Sequence, residues 1–113
     1  MKLIAETAWH HDGDVLFFKE LVETIVNKTN TDYIKFHITL DMDEYIHTDH
    51  AAYAWVKERL LTEKQWDEIL TYVISKGKKI TLLLNDCKAI DFGMQYNPEI
   101  VEIHSVCLND VRL

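Results

Sequence analysis

The sequence predicts an α/β protein, a parallel βαβαβαβ arrangement of four strands joined by three crossovers that amounts to half of a (β/α)₈ TIM barrel. Three observations predict it. Short apolar segments alternate along the chain with longer stretches, two of which carry an amphipathic helical stripe. The helical stretches open on capping residues and close near Gly or polar turns. Polar and ionisable residues collect where the strand segments end, which is where parallel sheets place their ligands.

Taken in order, Lys2 to Glu6 (KLIAE) is a short first strand that runs into the polar loop His10, His11, Asp12, Gly13. Asp14 is placed to cap a helix whose apolar positions Phe17, Phe18, Leu21, Val22, Ile25 and Val26 form one stripe up to Lys28. Tyr33 to Thr39 alternates, with Ile34, Phe36 and Ile38 on one face and Tyr33, Lys35 and His37 on the other. Leu40 to Leu61 is a long connection, acidic at first, with a short helix expected around Ala51 to Arg59. Thr62 with Gln65 is a capping-box signature, and Trp66, Ile69, Leu70, Val73 and Ile74 carry the stripe on to Gly77. Lys79 to Leu84 (KITLLL) reads as a strand buried on both faces, and Asn85, Asp86 and Gly93 bracket a short helical connection. The Asn97-Pro98 turn delivers a fourth strand, Glu99 to Ser105. No repeat or linker interrupts this rhythm, so residues 1–113 read as a single half-barrel domain.

Composition sets the outer bounds. With 48% hydrophobic residues, three Gly and one Pro, the chain is able to bury a core. A closed barrel of eight βα units takes about 250 residues, so 113 residues supply about half, to be continued or paired. The formal charge of −7 opposes binding to nucleic acid or anionic lipid. No apolar run reaches the length of a membrane span, and the opening MKLIAETAWHHDGD lacks the pattern of a secretory signal, which points to the cytoplasm. Cys87 and Cys107 are not spaced as a metal or redox pair and read as reduced structural thiols.

The alternation of the second strand turns Lys35 and His37 to the side that is the interior of a barrel. Glu6 closes the first strand, Asn85 the third, and Glu102 and His104 share the inward side of the fourth, so these groups are expected to meet in one polar cluster. A purely structural reading stands beside this one, in which Lys35 between Glu6 and Glu102 only satisfies buried charge. The pair His10-His11, and His47-x-x-His50 with Asp49 between, resemble metal ligands but lack a third and fourth ligand at set spacing, and no metal ligand is assigned. Asp41, Asp43 and Glu44 read as a solvated loop face; Trp55 and Trp66 read as packing residues, and Trp9 is placed to lie against a ligand.

In order and spacing, LIAETAWHHDGD, KELVETIVNK, DYIKFHI, LTEKQWDEILTYVISKGKKITLLLN and IVEIHSV resemble the opening half of the sialic acid (N-acetylneuraminate) synthase family. The resemblance implies a TIM barrel that condenses phosphoenolpyruvate with an N-acyl hexosamine, in carbohydrate biosynthesis, with help from a divalent metal, Mn or Mg. By the same resemblance Lys35 contacts the phosphoenolpyruvate anion, Glu6 lies near the sugar as the catalytic carboxylate, Asn85 stands near the family's Ser-Thr ending strand three, and Ser105 matches the serine ending strand four. His37, Asn85, His104 and Ser105 join Lys35 as the substrate-binding set, with His10, His11 and Asp12 in the loop beside it. Four positions, in three motifs, depart from the family pattern. His10-His11-Asp12-Gly13 replaces Asn-His-Asn-Gly, His37 replaces a glutamine, and Glu102 stands where a second phosphate-binding lysine is expected. The family's metal-binding histidines lie in the half of the barrel absent from this sequence. The expectation is a small anionic or sugar ligand, no turnover by this chain alone, and a homo-oligomer formed through open sheet edges; the alternative is a non-catalytic binding or oligomerisation module derived from the same barrel.

Overall fold

The computed structural model describes all residues 1–113. Strands β1 (Ile4–Glu6), β2 (Tyr33–Ile38), β3 (Lys79–Leu84) and β4 (Ile100–Ile103) form one sheet in the order β1-β2-β3-β4, with every neighbouring pair parallel. The crossovers carry helices α1 (Val15–Lys28), α2 (Met42–Tyr45), α3 (Tyr53–Lys57), α4 (Glu63–Ser75) and α5 (Cys87–Gly93). The connection from Leu40 to Leu61 departs from expectation, since it holds two short helices where one was predicted. The additional helix, α2, starts because the Asp41 carboxylate accepts the Asp43 N–H at 3.1 Å. The outer strands are shorter than the apolar runs suggest. Leu3 turns its N–H to the Asp32 carboxylate at 2.7 Å instead of entering β1, and a 3₁₀ turn, Ser105–Cys107, ends β4.

Both long helices begin where a side chain takes up the free N–H groups of the first turn. The Asp14 carboxylate accepts the Phe17 N–H at 3.0 Å. Thr62 and Gln65 exchange hydrogen bonds, Gln65 Oε1 accepting the Thr62 N–H at 2.8 Å and Thr62 Oγ1 accepting the Gln65 N–H at 3.2 Å. Gly77 ends the second at φ +77°, a conformation that costs a residue with a Cβ. The stripes of α1 (Phe18, Val22, Val26) and α4 (Trp66, Ile69, Leu70, Val73) pack on Ile34, Phe36 and Ile38 of β2 and Ile80, Leu82 and Leu84 of β3. α5 lies so close to β3 that a Cβ on Gly93 would stand 2.9 Å from a Leu84 methyl carbon.

All this packing is on one side of the sheet. The other side carries Ile4 and Glu6 from β1, Tyr33, Lys35 and His37 from β2, Thr81 and Leu83 from β3, and Ile100 and Glu102 from β4, and no helix covers it. At the end of this face where the strands begin, the Tyr33 hydroxyl accepts from Lys2 Nζ at 2.9 Å and donates to Glu99 at 2.8 Å. Lys79 reaches the other oxygen of Glu99 at 2.6 Å. The link therefore spans all four strands, from the residues leading into β1 and β4 to those opening β2 and β3.

Candidate functional site

At the opposite end, where the strands finish, the uncovered face holds a charge cluster. Parallel pairing sets Glu6 beside Lys35, and Lys35 beside Thr81. Lys35 Nζ lies 2.9 Å from Glu6 Oε2 and 2.7 Å from Glu102 Oε2, so one ammonium bridges β1, β2 and β4. Burial works against the Lys35 charge, but the hydrogen bonds that its ammonium donates to Glu102 and Glu6 outweigh it and hold its pKa above the ordinary value. Burial likewise pushes the Glu6 carboxyl up, and the Lys35 hydrogen bond with that from the Ala8 N–H brings it below its usual range. Two carboxylates facing one ammonium leave one negative charge in excess.

His37 Nε2 stands 3.0 Å from Glu6 Oε1 but off the line of a hydrogen bond. Burial holds this imidazole below its usual pKa, with Glu6 opposing and Lys35 reinforcing, so it is neutral at pH 7. A neutral ring beside a carboxylate is able to pass a proton, which makes Glu6 and His37 the pair with acid–base capacity here.

The rim of the site comes from β3 and β4. Asn85, buried just beyond β3, donates to Thr39 Oγ1 at 2.9 Å and leaves its own Oδ1 without a partner. His104 continues the inward side of β4, packs edge-on against Tyr45, and has an unpaired Nδ1. Thr81, which the apolar KITLLL run conceals, is buried beside Lys35 with an unpaired hydroxyl. Six buried side-chain polar atoms of the chain lack a partner, and four of them, on His37, Thr81, Asn85 and His104, belong to this one side of the sheet. Buried polar groups are normally satisfied, so this side of the sheet carries unmet hydrogen-bonding capacity. The only sign of this in the sequence is the alternation that puts positions 81, 83 and 85 on one face. Ser105 lies exposed at the start of the 3₁₀ turn, outside the cluster.

The loop after β1 divides differently from expectation. His10 is exposed and its Nδ1 contacts the Thr7 carbonyl at 2.8 Å, while Asp12 is drawn away to Arg59. His11 lies away from the cluster. It is 1% exposed and packs on the helix side of the sheet, its ring 4.8 Å from Phe18 and 5.6 Å from Trp9. Positive φ at Ala8, Asp12 and Gly13 lets so short a loop turn the ring inward, a conformation that residue types alone do not announce. Trp9 thus faces His11 and not the cluster.

No three His, Cys, Asp or Glu side chains converge as metal ligands, so the residues of this chain do not by themselves fit a divalent ion. His47 and His50 line a cavity of about 310 Å³ together with Tyr45, Ile46, His104 and Val106. Their Nδ1 atoms accept the N–H groups of Asp49 and Ala52 in local turns, at 3.3 and 3.1 Å. No helix is long and apolar enough to cross a membrane.

A four-stranded parallel α/β unit with an ionisable cluster at the carboxyl ends of its strands has the architecture of half a (β/α)₈ barrel. No family model matches the sequence and no curated protein is found to match it. Among solved structures the chain is similar to a sialic acid synthetase from Leptospira borgpetersenii, with TM-score 0.82 and 18% identity over 97% of this chain and 38% of that one. It is also similar to spore coat polysaccharide biosynthesis protein E from Chromobacterium violaceum (TM-score 0.79, 22% identity, 98% of this chain and 36% of that one). A third is spore coat polysaccharide biosynthesis protein spsE from Bacillus subtilis (TM-score 0.65, 19% identity, 90% and 28%). The chain spans about a third of the length of these proteins, and its fold matches half of a sialic acid synthase barrel.

Proposed function

We propose that the chain is the N-terminal half-barrel of a sialic acid synthase-like protein and that the cluster Glu6, Lys35, His37, Asn85, Glu102 and His104 is its ligand site. The observation that carries the reading is Lys35 held between Glu6 and Glu102 on the uncovered face, at the end of the sheet where such barrels bind substrate. The reaction class of such a protein is a carbon–carbon condensation of phosphoenolpyruvate with an N-acyl hexosamine. In it Glu6, with His37 beside it, handles a proton on the sugar, and Lys35 faces the substrate anion. A divalent metal belongs to the completed barrel in this reading, and its ligands to residues outside this chain. The two free cysteines accord with the reducing cytoplasm.

This chain alone does not turn over substrate. The test is incubation with phosphoenolpyruvate and N-acetylmannosamine; release of phosphate by the 113-residue chain would overturn the reading. The alternative of an assembly module draws support from the sheet itself. β1 and β4 are both unpaired edges, and Ile4, Ile100 and Val101 lie exposed along them. These edges pair with those of a second copy in a homo-oligomer, and light scattering that returned a monomer at high concentration would count against it.

A further inference from the structure

We infer that two copies of this chain close into a single eight-stranded parallel barrel, β4 of each beside β1 of the other, and that the charge cluster is completed by a ring in which Lys35 and Glu102 of the two copies alternate. The inference rests on the half-barrel reading above; it says how a second copy sits and what that copy gives the site. The chain has the fold of half a barrel, and a half-turn about the axis of an eight-stranded barrel carries four strands onto the places of the other four. β4 then runs parallel to β1 of the second copy, and the assembly closes without a free edge.

Two observations carry it. The interior of such a barrel is built in layers of four side chains, contributed by alternate strands, and half of one layer is present here. Pairing sets Lys35 level with Thr81 and Thr81 level with Ile100. The stagger of about one residue per strand in such a barrel then carries the layer from Lys35 on β2 to Glu102 on β4. Their 2.7 Å contact across β3 is this alternate-strand contact. The two remaining seats fall to Lys35 and Glu102 of the second copy, so positive and negative side chains alternate around the axis. Glu102 meets Lys35 of its own chain through Oε2, which leaves Oε1 for Lys35 of the other.

The edges give the second observation. On the inward side, Tyr33, Thr81 and Leu83 of the middle strands are buried, whereas Ile4 of β1 and Ile100 of β4 are exposed. Val101, on the helix side of β4, is exposed as well. So is Phe17, on the side of α1 turned away from Lys19, through which α1 meets Glu68 of α4. Apolar surface is open along both flanks, and a copy turned about the barrel axis presents the two flanks in the order that covers both.

The test begins with light scattering of the 113-residue chain, expected to give twice the 13.3 kDa of one chain and nothing larger, because a closed barrel leaves no edge to pair. E102Q empties two seats of the ring and is expected to raise the dimer dissociation constant about ten-fold, with the circular dichroism spectrum unchanged. Half of the barrel takes up about four residues of shear, which sets Ile103 beside Ala5 of the second copy. In chains carrying C87S and C107S, an A5C chain and an I103C chain mixed under glutathione disulfide are expected to cross-link, and neither alone. Cross-linking of the A5C chain to itself would mean that like edges meet and would overturn the inference. A dimer without the mixed cross-link, or a monomer at millimolar concentration, would overturn it too. A monomer that keeps the far-ultraviolet dichroism of mixed helix and strand leaves the half-barrel reading standing; a chain without it takes both readings down.

Discussion

Replacing His11 by Phe separates two effects of one buried ring. His11 Nδ1 accepts the Gly13 N–H at 2.9 Å, closing the turn between β1 and α1. Phenylalanine fits an aromatic surrounding but accepts no hydrogen bond, so the variant loses about 1 kcal/mol at any pH. Against this stands a cost carried only by the imidazole. Burial holds its pKa below the ordinary value, with Asp12 opposing. As the pH falls, the unfolded chain gains this proton near about 6.5 while the folded chain still excludes it, so stability declines by up to about 1.4 kcal/mol per pH unit until the lower folded-state value is passed. His37 is held low for the same first reason and adds a slope of the same sign. The wild type therefore loses stability towards acid up to about twice as steeply as His11→Phe. The variant is the less stable protein at pH 8, by about 1 kcal/mol, and the gap narrows as the pH falls through the imidazole's ordinary range. Urea unfolding followed by tryptophan fluorescence across this range measures both curves. A gap between the two proteins that stays constant with pH would refute the assignment of His11 as a buried neutral group.

Other substitutions test the frame and the cluster. Lys35→Met leaves Glu6 and Glu102 facing each other without their shared cation; a loss of about 1 to 2 kcal/mol is expected at pH 7, shrinking as acid protonates the carboxylates, and thermal unfolding at two pH values reads it. Asp14→Ala removes the acceptor for the Phe17 N–H and should cost about 1 kcal/mol in urea unfolding. Gly93→Ala sets a Cβ 2.9 Å from Leu84 and 3.0 Å from Leu82, both fully buried, and overpacking of about 1 to 3 kcal/mol exceeds the helix-propensity gain of about 1 kcal/mol, so a lower melting temperature is expected.

What the sequence discloses depends on whether the signal is local. α1 and β3 have the expected bounds because a cap and a stripe, or a run of uniform apolarity, are complete within a few residues. The inward set Glu6, Lys35, Glu102 was legible for a related reason: alternation within a strand is local, and parallel order follows from the intervening helices. Two features were not legible. His11 shares its composition with an exposed loop, and only the left-handed turns at Ala8, Asp12 and Gly13, which depend on the docking of α1, send it into the core. The role of Thr81 is masked by its leucine neighbours, since burial on both faces and a lone hydroxyl on one of them look alike along the chain. The helix α2 was missed because it is held at its start by Asp41 and at its side by Glu44, which accepts the Cys87 N–H at 2.9 Å from far along the sequence.

The seam through Lys2, Tyr33, Lys79 and Glu99 fastens the sheet at the end remote from Glu6 and Glu102. Register and spacing of the strands are thereby anchored at the end away from the charge cluster. A substitution at the far lip, such as one at His37 or Glu102, therefore leaves the strand alignment held at the other end.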